Sequence, residues 1–283
     1  MNREGVSAYA NLAKKRIPAI QVSKPDMLIS HFEHGPVSAY PRDYLDGAHQ
    51  PLHLHREAQL LYAVSGVMRV VTAQGAWVIP PTRAVWIPPE VGHEIFMSGD
   101  VQMRSLFIAP ELSPTSLQHC CVLAVTPLLR ELILRAVQGP PHAGNPLIQQ
   151  LMLEELAGLE NLPLHIPMPS DRRLQNICLA LLREPDHPNT LEDWAQQVGA
   201  SSRTLARLFQ QQLQMNFNAW RQQLRLMEAL PRLLAGDSVQ AVARDLGYGS
   251  ARAFSAMFRR LLGDNPREYL NALNQLRSIN ASR

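Results

Sequence analysis

The stretch from Thr190 to Leu270 contains the same helical device twice, and nothing else in the 283 residues restricts the fold as much. One passage runs Thr190-Leu191-Glu192-Asp193-Trp194-Ala195-Gln196-Gln197-Val198-Gly199, the other Ser238-Val239-Gln240-Ala241-Val242-Ala243-Arg244-Asp245-Leu246-Gly247. Each opens on a hydroxyl residue that can accept a bond from an orphan helical N–H. Each carries an apolar stripe (Leu191, Trp194, Ala195, Val198; Val239, Val242, Ala243, Leu246) and stops at a glycine suited to a left-handed cap. A capping serine, Ser201 or Ser250, then starts a second helix, whose apolar face is Leu205, Leu208 and Phe209 in one copy and Phe254, Met257 and Phe258 in the other. Helix, glycine turn and helix is the shape that enters a DNA major groove. A single such pattern is as often an ordinary helical hairpin, so the weight lies in the tandem register. From the capping serine onward, matched residues stand 49 apart (Ser201 to Ser250, Phe209 to Phe258, Trp220 to Tyr269), whereas the opening caps stand 48 apart. The second turn therefore holds one extra residue. Between the copies, Phe217 to Ala235 is an apolar-periodic run ending at Gly236. As a helix it would span about 28 Å, at ~1.5 Å per residue. That spacer suits two reading helices roughly 34 Å apart, one duplex turn.

If Leu205, Leu208 and Phe209 face inward, Arg203, Arg207 and Gln210 project outward at i, i+4, i+7, with Thr204 and Ala206 flanking. Arg252, Ala256 and Arg259 form the matching row on the second helix, with Ala251 and Ser255 beside it and Arg260 next along. Arg203, Arg207 and Arg252 read as contacts to base edges, and Arg259 and Arg260 as phosphate positioning; for any one arginine a solvated surface charge is the bland alternative.

Charge agrees with this division. The net charge is only +3, but residues 170–283 hold 15 cations against 10 carboxylates, while the first 169 residues hold 12 against 14. Every cation in the second part is arginine, the side chain suited to bidentate phosphate and guanine contacts. A GC-rich genome would account for the missing lysine but not for the asymmetry in sign. The expected partner is double-stranded DNA, held at one end of the chain only. No apolar run has transmembrane length, so no membrane partner is expected, and the first thirty residues are not signal-like. Cys120, Cys121 and Cys178 have no metal spacing and make no disulfide framework, which places the chain in a reducing cytoplasm.

The first half reads as β. Residues 1–25 form an arm without periodicity, and short strand-like runs follow at Leu60–Val64, Val67–Val71, Ala84–Ile87 and Met103–Ile108, divided by glycine and proline turns. Such spacing argues for a small sandwich or barrel. Within it, strand alternation puts residues 53, 55, 57 and 59 on one face, so His53, His55 and Gln59 would converge, with His93 supplied by a neighbouring strand. Leu128 to Val137 and Pro146 to Leu159 read as two helices whose apolar band is wider than one surface needs, through plain packing or a dimer seam. Leu162 to Pro169, with prolines at 163, 167 and 169, reads as a stiff, extended linker.

At Leu205-Ala206-Arg207-Leu208-Phe209, Gly247-Tyr248, Phe254-Ser255-Ala256-Met257-Phe258-Arg259-Arg260, Gly263 and Pro266-Arg267-Glu268-Tyr269, the chain resembles the AraC/XylS family of bacterial transcription regulators, closely over Asp171 to Leu273. The resemblance implies a regulator with base contacts on the outward rows, a homodimer and, for an activator, RNA polymerase as a partner. Two residues depart from the pattern. Gln214 stands where the first copy usually carries glycine, and Pro231 falls inside the connecting helix, where a kink or break is expected. His53-Leu54-His55, Gln59, Gly66 and His93 in turn resemble the cupin double motif, with glutamine in the glutamate place. That likeness implies either a divalent metal (zinc, nickel or iron) or a metal-free pocket whose histidines bind a small-molecule effector; purely structural histidines are the third reading.

The expected architecture is two-domain α+β: an arm at 1–25, a cupin-like sensing and dimerising β-barrel with a helical pair at 26–162, a linker at 163–170, an all-α domain at 171–273 with helix-turn-helix units at 191–212 and 239–262, and a tail at 274–283. A cupin metalloenzyme, a dioxygenase or isomerase fused to a DNA-binding domain, is the rival reading. Gln59 and the whole helical half stand against it. A third reading, a stress-responsive activator without a dedicated ligand, leaves the histidine cluster unused.

Overall fold

The computed structural model describes residues 28–29, 36–138, 145–159, 161–162 and 164–281, so the arm at 1–25 lies outside the described residues. The chain divides into two compact units between His165 and Ile166, with the segment from Arg267 onward grouped with the first. No helix among the described residues is long and apolar enough to cross a membrane.

The first unit is built on two sheets. Its strands are β1 (Leu28–Ile29), β2 (Val37–Tyr44), β3 (His49–His55), β4 (Ala58–Ala63), β5 (Val67–Thr72), β6 (Gly75–Ile79), β7 (Arg83–Ile87), β8 (His93–Ser98), β9 (Val101–Ile108), β10 (Cys121–Ala124) and β11 (Asn161–Leu162). One sheet runs β1-β3-β8-β5-β6 and the other β11-β10-β7-β4-β9-β2. The pairing is antiparallel except where β1 lies parallel to β3. Strand β4 is buried on both faces. Ala58, Leu60 and Tyr62 join Trp86, Leu106 and Leu123 in a core closed by Leu129 and Ile133 of α1 (Pro127–Gln138) and Met152 and Leu156 of α2 (Pro146–Ala157). The alternate residues, Gln59, Leu61 and Ala63, therefore face the other sheet. Gly66, in the β4–β5 turn, has φ +74°, and a Cβ there would meet Val101 Cγ2 at 2.6 Å and the Asp100 carbonyl at 2.7 Å, so both conformation and space require glycine.

Several strands were not visible in the sequence. Strand β2 carries Pro41, which reads as a breaker, yet β2 is the last strand of its sheet, the place where proline is tolerated. Strands β6, β8 and β10 also escaped. β6 is buried throughout and has no alternation to detect.

In the second unit the predicted caps Thr190, Ser201, Ser238 and Ser250 each close a helix, and Asp171 and Asn216, which the sequence reading did not name, cap two more. Asp171 accepts from the N–H groups of Arg173 and Leu174 at the head of α3 (Arg172–Arg183). Thr190 and Asp193 form a reciprocal capping box on α4 (Leu191–Gln197). Ser201, Asn216, Ser238 and Ser250 cap α5 (Ser202–Leu213), α6 (Phe217–Leu234), α7 (Val239–Asp245) and α8 (Ala251–Leu262). Each such bond contributes about 1 kcal/mol. Gln214 closes α5 at φ 57°, ψ 24°, the left-handed conformation that makes glycine the usual choice there. Helix α6 is unbroken through Pro231 and ends three residues later, so the expected break does not occur. At its other end Trp220 is fully buried and donates Nε1–H to the Pro167 carbonyl at 2.9 Å. The linker is not bare: Leu164 and Ile166 are buried, and His165–Pro167 forms the short strand β12. Helix α9 (Pro266–Ala281) runs on through residues that the sequence sets apart as a tail.

Candidate functional site

The two turn-and-helix copies present matching surfaces. On α5, Leu205, Leu208, Phe209 and Leu213 are buried, while Arg203, Arg207 and Gln210 are exposed and Thr204 is half-buried, its hydroxyl 2.8 Å from Ser201 Oγ. On α8, Phe254, Met257 and Phe258 are buried, Arg252, Ala256, Arg259 and Arg260 are exposed, and Ser255 is half-buried. Among the described residues, none of these five arginines makes an ion pair; Arg207 reaches Gln211 Oε1 at 3.1 Å and Arg260 reaches Gln222 Oε1. Three other arginines of this unit do pair with carboxylates: Arg173 with Asp171, Arg232 with Asp237 and Asp245, and Arg244 with Asp245. Cations left without counter-charge on two matching helix faces suit a polyanion.

The β-unit brings His53, His55 and His93 together. All three are buried, at 4%, 2% and 0% exposure, and one ring nitrogen of each lies within 4.8 Å of the others. His53 of β3 stands opposite His93 of β8, with ring centroids 4.3 Å apart; His55 lies 4.9 Å from His93 and 5.4 Å from His53. The same local device orients two of them. His53 Nδ1 donates to the Pro51 carbonyl at 2.8 Å and His93 Nδ1 to the Val91 carbonyl at 2.9 Å, each two residues back. At β3 this follows a register shift between Gln50 and His53, where Pro51 bulges the strand. At β8 it follows the Pro88-Pro89 turn, in which Glu90 takes φ 62° and donates its N–H to the His55 carbonyl at 2.8 Å. With Nδ1 protonated, the lone pairs of His53 and His93 sit on Nε2. His93 Nε2 is buried without a hydrogen-bond partner. Protonation does not relieve it, because burial, with the neighbouring His53 second, lowers the His93 pKa to about 4. Burial lowers His53 too.

Gln59 arrives by a different route from the one its spacing suggests. Residues 53 to 59 are not one strand: the chain bends at Arg56-Glu57 and crosses from the first sheet to the second. Gln59 therefore faces the histidines from the opposite sheet, and Phe107, its cross-strand neighbour, packs edge-on against His55 at 5.0 Å. Ser105 Oγ accepts from Gln59 Nε2 at 3.1 Å, which leaves Gln59 Oε1 buried without a partner. The sequence reading missed Ser105, Phe107 and the carbonyls of Pro51 and Val91. Only Pro51, two residues before the first histidine, offered a visible signal.

Comparison with known proteins places these features. Residues 194–272 match the helix-turn-helix domain family. The HTH-type transcriptional regulator NimR of Escherichia coli K12 is 36% identical over 227 residues, covering 79% of this chain and 83% of that protein. Residues 170–283 are only 114 of 283, so that match extends well into the β-rich half. The arabinose operon regulatory protein of Salmonella typhimurium is 31% identical over 127 residues, 44% of this chain and 43% of that one. Among solved structures, ToxT of Vibrio cholerae O395 covers 84% of this chain and 98% of its own at 11% identity and a TM-score of 0.37, too slight a likeness to argue from.

Proposed function

This chain belongs to the AraC/XylS family of helix-turn-helix transcriptional regulators, and on that premise we propose how its two units divide the work. It is a DNA-binding regulator rather than a metalloenzyme. Arg203, Thr204, Arg207 and Gln210 on α5 and Arg252 and Ser255 on α8 read base edges, while Arg259 and Arg260 hold phosphates. The β-unit is a cupin-like sensor in which His53, His55 and His93, facing Gln59, bind a divalent metal such as zinc, nickel or iron, alone or beneath a small-molecule effector.

One observation carries the metal over a metal-free pocket. Two imidazoles are locked as Nδ1–H tautomers in a buried cluster where protonation is suppressed. Their lone pairs then repel one another unless a cation sits between them. The residues fit such an ion: three nitrogen donors, two of them oriented by outer carbonyl partners, and one amide oxygen opposite. A divalent ion there supplies a Lewis-acidic point of attachment for an effector. The exposed Leu128, Leu147 and Leu151 of α1 and α2 support a homodimer, and RNA polymerase is the further partner if the protein activates. The expected compartment is the cytoplasm.

Elemental analysis of full-length protein purified without an affinity tag tests the metal. About one equivalent of a single divalent metal is expected, lost in His93→Ala, with DNA binding by the helical unit kept. Metal-free protein with an unchanged effector response in His55→Ala would remove the sensor reading altogether.

A further inference from the structure

A groove of about 750 Å³ opens between the two turn-and-helix copies, lined among others by Ala206 of α5, Asn218 and Arg221 of α6, and Arg260 of α8. Its position follows from its edges. Ala206 flanks the exposed row Arg203–Arg207–Gln210, and Arg260 adjoins Arg259 at the end of the other row. The groove thus opens between the two reading surfaces. When two helices enter successive major grooves on one face of a duplex, the minor groove between them turns toward the protein, with its two phosphate strands nearest.

The charges in this groove are held in an unusual way. Arg221 lies over the Phe217 ring at 5.2 Å and donates to the Asn189 carbonyl at 3.2 Å. Behind it Arg225, only 8% exposed, lies over the Tyr248 ring at 5.2 Å and donates to the Pro185 carbonyl at 2.8 Å. Gly247 is what admits that arginine: at φ +72°, a Cβ would stand 3.1 Å from Arg225 Nη2 and from the Asp186 carbonyl. Arg260 is held by the side-chain oxygen of Gln222. Each cation is positioned by a neutral acceptor or a ring face, and among the described residues none of the three pairs with a carboxylate. Glu192, also on the lining, makes no ion pair with them. Burial and the nearby charge of Arg225 both weaken the hold of Arg221 on its proton, as expected of cations crowded without a counter-charge. Neutral fixtures orient a guanidinium without spending its charge, which stays available for an incoming anion.

We propose that this groove seats the DNA backbone beside the central minor groove, with Arg221 of the connecting helix and Arg260 of α8 holding phosphates between the two base-reading segments. Arg225 adds buried positive potential from behind. The proposal rests on the DNA-binding reading and adds to it a third contact zone that reads no bases. The connecting helix then takes part in binding besides setting the distance between the two copies.

The test uses the full-length protein and a duplex enriched by it from a randomised library. If no duplex is enriched, the DNA-binding reading itself fails, separately from this proposal. With a duplex in hand, Arg221→Gln is expected to weaken binding roughly tenfold for all sequences alike. It should also lower the slope of log affinity against log salt by about one. Arg221→Lys, which keeps the charge, should restore most of the slope. Methylphosphonate substitution of phosphates midway between the two protected segments should weaken the wild type but not Arg221→Gln. Arg260→Gln, which leaves the Asn189 and Phe217 contacts in place, provides the same readout if Arg221→Gln unfolds. Several results would overturn the proposal. One is unchanged affinity and slope in both folded variants. Another is central methylphosphonates that weaken wild type and variants equally. A third is wild-type DNA binding with loss of polymerase recruitment, which would assign the groove to a protein partner. The last is tight binding of inorganic phosphate to DNA-free protein, lost in Arg221→Gln while the DNA salt slope is unchanged, which would assign it to a free anion.

Discussion

The β-unit hides the polar groups that matter and the helical unit displays them. His53, His55, His93 and Gln59 lie at 4% exposure or less, converging from two sheets, whereas the arginines of α5 and α8 stand in solvent on rows dictated by helical spacing. Burial would make the first site, as proposed, selective for one ion or one small molecule, because desolvated lone pairs must be matched atom for atom. Exposure makes the second additive: each arginine adds a contact, and none is indispensable to the fold. A sensor and a reader therefore demand opposite treatments of polarity within one chain.

The largest separation between the units should appear in acid. In metal-free protein, His93 has a pKa of about 4 when folded, against about 6.5 in the unfolded chain. Between those values the unfolded state takes up a proton that the folded state refuses. Stability of the β-unit is therefore complete above about pH 6.5 and falls as pH drops toward 4, by up to about 3 kcal/mol. His53 shifts in the same direction. In the helical unit the bond from Arg173 holds the Asp171 pKa down to about 2, so its contribution is present above about pH 4 and is lost only as pH falls to about 2. Hydrogen exchange resolved by segment should show strands losing protection between pH 6.5 and 4 while α3 to α8 keep theirs. Simultaneous loss in both units would break the comparison.

Substitutions on the reading rows come next in size. Arg207→Ala or Arg252→Ala should cost about 1–3 kcal/mol of binding and relax preference at particular base pairs. Arg260→Ala should weaken all sequences about equally. A randomised site library in which every variant shifts affinity uniformly would remove the division between base reading and positioning.

The smallest effect belongs to the fold alone. Gln214 occupies a left-handed cap, and its Nε2 recovers a bond to the Gln211 carbonyl at 3.2 Å. Gln214→Gly should stabilise by somewhat less than 1 kcal/mol, since relief of strain exceeds the lost bond and the added chain entropy only slightly. Thermal unfolding measures it, and a lower midpoint would mean that the glutamine is not strained there.

How much was legible follows the same division. Helix caps, glycine turns and the apolar face of α5 are local, each set by residues within four positions, so Thr190, Ser201, Ser250 and Leu205 could be placed from the sequence. The pairing of His53 with His55 was legible for the same reason, through alternation along one strand. Gln59 was assigned to the right neighbourhood by the wrong path, because a bend at Arg56-Glu57 that transfers the chain between sheets leaves no periodic mark. Ser105 and Phe107 reach the site from a strand 46 and 52 residues beyond Gln59 and His55 by pairing alone, and sequence spacing says nothing of that.

The all-arginine helical unit has a bearing on how the protein can be controlled. Acetyl transfer and its relatives act on amines, and this half has no lysine to accept an acyl group. Guanidinium does not give up its proton at any pH a cell reaches. Neither acylation nor a shift in intracellular acidity can therefore switch off the face that meets DNA. Control by those two routes would have to act elsewhere in the molecule.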